Sequence, residues 1–266
     1  AILIHYGFLS TYAFDPDLIF RNHIMTGIMV SFSAYLSARF CHQSSNAKKI
    51  AYAALFLLFS YHLLFVNTGR TGYIIYFLLF FIFLIQTCRW QQILISLAAL
   101  FIFLPSTYFS SHVIQSRVAD SVTQLKDYKH DQKNTEIGFR LQFHTFAYQL
   151  FKKHPVLGNG TGSFTYSFSK ENPVPFWTKL KGRLLEPHSQ YWFIASELGL
   201  LGLTIFMLFF VTLLRASLQL NHMKPIACAL IIIFLVGNLS DSLLFFSGTG
   251  YLFLLIMALC LGEKKI

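Results

Sequence analysis

Apolar residues run almost unbroken over roughly 20–40, 50–67, 72–88, 91–109, 190–214, 225–241 and 244–262, with short polar breaks between most of these runs. Each approaches the ~20 residues a helix needs to cross ~30 Å of hydrocarbon, so the pattern predicts about seven spans. Between the fourth and fifth runs lies a polar stretch, 110–189. It is far longer than the ~12–15 residues beyond which structureless loops become uncommon, so helices and a task of its own are expected there. The expected fold is all-α: a polytopic transmembrane helical protein with one large helical loop outside the membrane. Its expected parts are 1–109, the first transmembrane helices; 110–189, the loop with amphipathic helices; and 190–266, the last transmembrane helices.

Composition agrees with the pattern. Hydrophobic residues make up 55% of the chain, charged residues 12%, and the mean hydropathy is +0.55. A soluble domain carries about twice that share of charge. Residues 1–14 are apolar but too short to span, and neither an initiating Met nor a basic leader precedes them. The chain therefore reads as starting inside a longer protein, with further spans expected upstream. The turn signal Asp15-Pro16-Asp17 follows. Arg21 and His23 fall at a predicted membrane edge, where Arg21 suits an interfacial anchor.

Alternating the runs through the bilayer puts Arg39, Lys48, Lys49, Arg89, Arg215, Lys224, Lys264 and Lys265 on one side, with Glu263 as the lone acid. By the positive-inside bias that side is cytoplasmic, and 110–189 faces outward. Cys41, Cys88, Cys228 and Cys260 all fall at the cytoplasmic ends, so no disulfide framework is implied. A net charge of +10 is compatible with nucleic acid. Once the topological cations are set aside, however, the excess belongs to the outer loop, and an anionic substrate at a membrane surface fits better.

Within the loop, residues 112–126 and 137–153 read as helices. In the second, Phe139, Phe143, Phe146 and Leu150 recur at helical steps, an apolar stripe for the bilayer surface or for packing on the spans. Arg140 and His144 lie one turn apart on it and share a face. Spacing alone leaves open a solvated polar face or part of a site. Lys152-Lys153-His154-Pro155 ends the helix, and Gly158, Gly160 and Gly162 follow. Alternate glycines let backbone amides approach a phosphate, although no GK[ST] completes a P-loop.

Arg70 lies in a tight hairpin, Asn67-Thr68-Gly69-Arg70-Thr71-Gly72, with no acid beside it in sequence. It suits a headgroup anchor or a cation awaiting an anion. Pro187-His188-Ser189 closes the loop just before the fifth run. The positive end of that helix should favour a neutral imidazole at His188, able to take a proton; a simple capping histidine is the alternative. Glu197 should face away from His188 and make a structural hydrogen bond, with Gly199 and Gly202 marking close helix packing. Asp241 stays open between a structural and a functional role. Asn159 and Asn238 match N-x-[ST] but carry little weight in a tight turn and at a membrane end. No HExxH, CxxC pair or acidic cluster appears in sequence, so no metal and no cofactor are expected.

The order of these elements resembles the bacterial O-antigen ligase superfamily, which also holds O-antigen polymerases and related bacterial oligosaccharyltransferases. The resemblance rests on Arg70 in an outer hairpin, Gly138-Phe139-Arg140 on an amphipathic helix, HPVLGNGTGSF over 154–164, and PHSQYWFIASELGLLGL over 187–203. Ser189 departs from the Asn found in many members. The resemblance implies an inner-membrane glycosyltransferase with its active site facing the periplasm. Its donor would be a glycan on undecaprenyl pyrophosphate; its acceptor would be the lipid A-core oligosaccharide or another glycan. Membrane lipids would be partners, and nucleic acid would not.

Arg70 and Arg140 would then bind the pyrophosphate and His188 would assist an inverting, metal-independent transfer, with His144, Gly158 and Gly160 in support. Guanidinium suits phosphate because its planar fork stays charged and matches two oxygens at once. The expected reaction is that of the O-antigen ligase in lipopolysaccharide biosynthesis. The alternatives are the polymerase or an oligosaccharyltransferase, and, more remotely, a lipid-linked glycan transporter.

Overall fold

The structure, a computed structural model, describes residues 23–263, and these are all-helical. The expected turn at Asp15-Pro16-Asp17, the anchor Arg21, and Lys264 and Lys265 lie outside the described residues. The chain divides into two units, residues 1–119 and 120–266.

Each of the seven apolar runs forms a helix. The first unit contains α1 (His23–Gln43), α2 (Asn46–Phe65), α3 (Arg70–Thr87), α4 (Trp90–Ser110) and the start of α5 (His112–Lys129). α1 packs along both α2 and α3. Its backbone meets that of α3 at Gly27 and Gly72, where a Cβ on Gly72 would stand 2.9 Å from the Gly27 Cα. Ser31 bridges the crossing, donating to the carbonyls of Gly27 (2.6 Å) and Gly72 (3.1 Å). Small residues that admit close backbones, with a hydroxyl across them, replace the hydrophobic drive that helices lack inside lipid.

The second unit holds the rest of α5, then α6 (Glu136–Lys153), α7 (Ser163–Glu171), α8 (Pro175–Lys181), α9 (Gln190–Leu218), α10 (Lys224–Gly237) and α11 (Ser247–Gly262). α5 and α6 cover the two helices predicted in the loop. The stripe of Phe143, Phe146 and Leu150 is fully buried, with Phe139 beside it. It meets Phe164 and Phe168 of α7 and Trp192 and Phe193 of α9 in one aromatic core. The apolar face of α6 thus packs on α9 and α7.

Among the described residues, four helices are long and apolar enough to cross a membrane: α1, α2, α3 and α9. α10 and α11 have 14 and 16 residues and fall short of the ~20 expected of full spans. The shortening has a physical cause. Residues 238–246 leave the helical path in a polar turn in which Asn238, Asp241 and Ser242 are all buried. Asn238 accepts the Gln190 amide on its carbonyl (3.0 Å) and the Leu243 amide on its Oδ1 (3.1 Å). The turn is thereby clamped to the start of α9.

α9 is broken once. Gly199 has φ 64 and ψ −158, a left-handed backbone that favours glycine. The segment 154–160 docks at this break: the Pro155 and Val156 carbonyls accept from the Leu200 (2.8 Å) and Leu201 (3.1 Å) amides, whose helical partners the break removes. The fit is backbone on backbone, since a Cβ on Gly199 would lie 2.4 Å from the Val156 oxygen and one on Gly158 would lie 2.3 Å from the Glu197 oxygen.

Candidate active site

His188 stands immediately before Ser189, the N-cap of α9, at φ 55. A non-glycine residue held left-handed costs on the order of 1–3 kcal/mol and persists where its surroundings enforce it. Here the enforcing group is Glu186. Its Oε2 accepts the His188 backbone N–H at 2.6 Å and the Ser242 hydroxyl at 2.7 Å, and its Oε1 lies 3.1 Å from His188 Nδ1. Asp241 Oδ1 lies 3.4 Å from the same nitrogen. These last two are ion-pair distances to two almost fully buried carboxylates, while the imidazole keeps about a quarter of its surface exposed.

The ring is fixed on its faces as well. Phe143 of α6 stacks on it at 5.9 Å between centroids, and Trp177 of α8 meets it edge-on at 6.4 Å. Behind it, His144 Nε2 lies 3.3 Å from the His188 carbonyl. A carbonyl only accepts, so His144 donates through Nε2.

Burial works against a charge on His188, but the Asp241 acceptor and the Glu186 charge outweigh it, and its pKa is raised. The downward shift expected from the helix N-terminus is outweighed by these two carboxylates, which are closer and carry whole charges. Burial, with the neighbouring Asp241 charge, pushes the Glu186 pKa up against the pull of His188. His144 moves the other way: burial first, then the positive charges of Arg140 and His188, lower its pKa.

Arg140 is half-buried on α6, close enough to act electrostatically on both histidines. It makes no hydrogen bond or ion pair among the described residues. Of the residues predicted from sequence, the structure thus brings Arg140, His144 and His188 together. Arg70 belongs to the first unit. It is the first residue of α3 and follows a turn built on the buried Asn67, which donates to the His23 carbonyl (3.1 Å) and accepts the Gly69 amide (2.8 Å).

Gly158 and Gly160 have a structural use. Their amides donate to the carbonyls of His154 (2.9 Å) and Glu197 (2.8 Å), so neither is left open for a phosphate. Between them, Asn159 Nδ2 donates at 2.8 Å to the carbonyls of both Leu150 and Ser196, tying the end of α6 to α9. Glu197 makes the structural bond expected of it, accepting the Phe164 amide at the start of α7 (3.4 Å).

Sequence reasoning left Asp241 open and missed Glu186. No spacing rule links either to His188; the available signals were an acid two residues before a candidate base and another inside an apolar run. Together Glu186, His188 and Asp241 bring ligand-type atoms within 4.8 Å of one another, a donor set able to hold a metal ion. Their arrangement favours a proton instead: Glu186 Oε2 already accepts two hydrogen bonds, and Nδ1 stands at ion-pair distance from both carboxylates. A histidine so backed, beside an arginine with no acid partner, can take a proton from a hydroxyl next to a bound anion.

Comparison with curated proteins gave no match. The family described as O-antigen ligase matches residues 52–207, a stretch that includes Arg70, Arg140, His144 and His188 and stops short of Asp241. With more than half of its length matched, the chain belongs to the O-antigen ligase family.

Proposed function

We propose that this protein is an inverting glycosyltransferase that moves an O-antigen glycan from undecaprenyl pyrophosphate to the lipid A-core oligosaccharide. Family membership supports a ligase- or polymerase-like role in O-antigen processing, and the apolar helices support a membrane setting. The observation that carries the reading is local: an arginine without an acid partner next to a histidine backed by two buried carboxylates.

In this mechanism the acceptor hydroxyl oxygen attacks the anomeric carbon of the donor. Its proton passes to Nε2 of His188, and Asp241 and Glu186 stabilise the imidazolium that forms, as a triad carboxylate does. The bond from the anomeric carbon to the pyrophosphate oxygen breaks on the opposite face, so one displacement inverts the configuration. Negative charge grows on the departing pyrophosphate, and Arg140 neutralises it. Fixed cations in a site poor in water stabilise that charge more in the transition state than in the ground state. No step calls for a metal. The site faces the periplasm of the inner membrane, where lipid-linked glycan and lipid A-core meet.

A lipopolysaccharide gel from a deletion strain tests the reading. Loss of all glycan on the core, restored by the wild-type gene and not by a His188→Ala form that reaches the membrane, is the expected result. Core bearing a single repeat unit would instead identify the polymerase. Unchanged lipopolysaccharide would overturn both.

A further inference from the structure

α9 is longer than a span requires, and its two halves differ. Before the break at Gly199 it carries Gln190, Ser196 and Glu197, and its side chains up to Glu197 are buried or half-buried. Beyond the break apolar side chains predominate, and Leu200, Leu201, Ile205 and Leu208 are exposed by 51%, 53%, 60% and 54%. Large apolar side chains exposed along a span face lipid. At ~1.5 Å per residue the Leu200–Leu218 segment reaches about 28 Å, close to one hydrocarbon thickness of ~30 Å. Gly199 therefore marks the plane at which α9 enters the hydrocarbon, and Gln190 and His188 stand clear of it.

The 154–160 segment is pinned at that plane. Val156 and Leu157 are exposed by 62% and 69%, and the backbone just before and at Val156 is bonded to Leu200 and Leu201. Irregular backbone at membrane depth is costly unless its polar groups are satisfied. Here the Pro155 and Val156 carbonyls are satisfied by α9. Basic side chains precede the apolar pair: His154 is exposed, Lys152 lies 4.7 Å from the Tyr148 ring centre, and Lys153 pairs with Glu171 at 3.2 Å. Apolar tip and basic shoulder together match the boundary between acyl chains and anionic headgroups.

We propose that residues 152–157 form a membrane-dipping wedge, with Val156 and Leu157 in the acyl region of the bilayer and Lys152 and His154 among the headgroup phosphates. The wedge sets the height of His188 above the lipid. The ligand is the bilayer itself, and the wedge stands independently of the reaction assigned above.

The test uses the full chain with its four native cysteines replaced by serine, reconstituted in vesicles of phosphatidylethanolamine and phosphatidylglycerol. A nitroxide is placed at Leu157→Cys and, as a water reference, at Gln132→Cys on the exposed turn after α5. Relaxation by oxygen, which concentrates in lipid, is compared with relaxation by a water-soluble nickel chelate. The wedge predicts that oxygen exceeds nickel at 157 by several-fold and that the order reverses at 132. Nickel access at 157 equal to that at 132 would overturn it. Exclusion of both reagents with spin–spin broadening would also overturn it, placing a second copy of the chain on the tip. If the serine form does not fold, Leu157→Trp in the native chain, quenched by bromine-labelled lipid over the wild-type signal, reads the same depth. Loss of transfer plays no part in either measurement, so the wedge and the proposed reaction fail separately.

Discussion

Asp241, on the turn between two short apolar helices, reaches within 3.4 Å of the Nδ1 of His188, at the far end of the loop that precedes α9. Two stretches distant in sequence thus define one protonation site, whose behaviour can be measured.

The pH dependence of transfer should report it. The proposed transfer needs neutral His188, so the rate should rise with pH through the raised pKa, above the ordinary 6.5 of imidazole. Asp241→Asn removes the acceptor that raises it, and the midpoint should move to lower pH. The stability effect has the opposite sense. A folded pKa above the unfolded one gives stability that is complete below the unfolded value and is lost as pH climbs through the folded value. Glu186, also raised, acts in the same direction in its own range. Rate profiles of the purified protein measure the first effect, and thermal melts across the same pH range measure the second. A midpoint unmoved by Asp241→Asn would show that another group governs the limb.

Replacing His188 removes the proposed base. A positioned histidine contributes ~10²–10⁴-fold, and His188→Gln should lose transfer by at least the lower figure. Binding of the lipid-linked donor should change much less. Transfer at the normal rate by a folded His188→Gln protein would assign the proton elsewhere.

Arg140 is proposed to hold the pyrophosphate. Arg140→Lys keeps the charge and loses the fork, and at ~1.5–3 kcal/mol for a charge-assisted hydrogen bond it should weaken transfer roughly 10- to 100-fold.

The docking at Gly199 should be intolerant of any side chain. Gly199→Ala puts a Cβ 2.4 Å from the Val156 oxygen and forces a left-handed alanine. It should lower the melting temperature in detergent, with the backbone strain alone worth ~1–3 kcal/mol. Gly162→Ala is the comparison: it shares the left-handed backbone at φ 77, but its Cβ would meet nothing within 4 Å, so it carries the strain without the clash. A melt unchanged by Gly199→Ala would mean that the segment docks loosely.

Much of this fold follows from hydrophobic period. Seven apolar runs become helices, and the Phe143, Phe146, Leu150 spacing correctly marks the buried face of α6, because a helix must cover such a stripe. The same spacing puts Arg140 and His144 on one side. Charged partners across long separations have no such period. Glu186 and Asp241 reach His188 only through turns whose geometry depends on Ser242 and Asn238, residues unremarkable in sequence. The glycines of 158–162 read as anion ligands because their spacing leaves amides bare on paper, and the fold spends those of Gly158 and Gly160 on His154 and α9. Helix ends at 237 and 247 were overrun because hydropathy averages over the polar turn that breaks them.

The Asn159 side chain, bonded to Leu150 at the end of α6 and to Ser196 of α9, gives the molecule a mechanical property. α6 carries Arg140, and α9 continues from His188, so both groups ride on one braced block above the break at Gly199. In bilayers thicker or thinner than its lower half prefers, that half can tilt to match, at fractions of a kcal/mol per Å of mismatch. The gap between arginine and histidine is shielded from such adjustment, and the catalytic rate should be nearly indifferent to acyl-chain length.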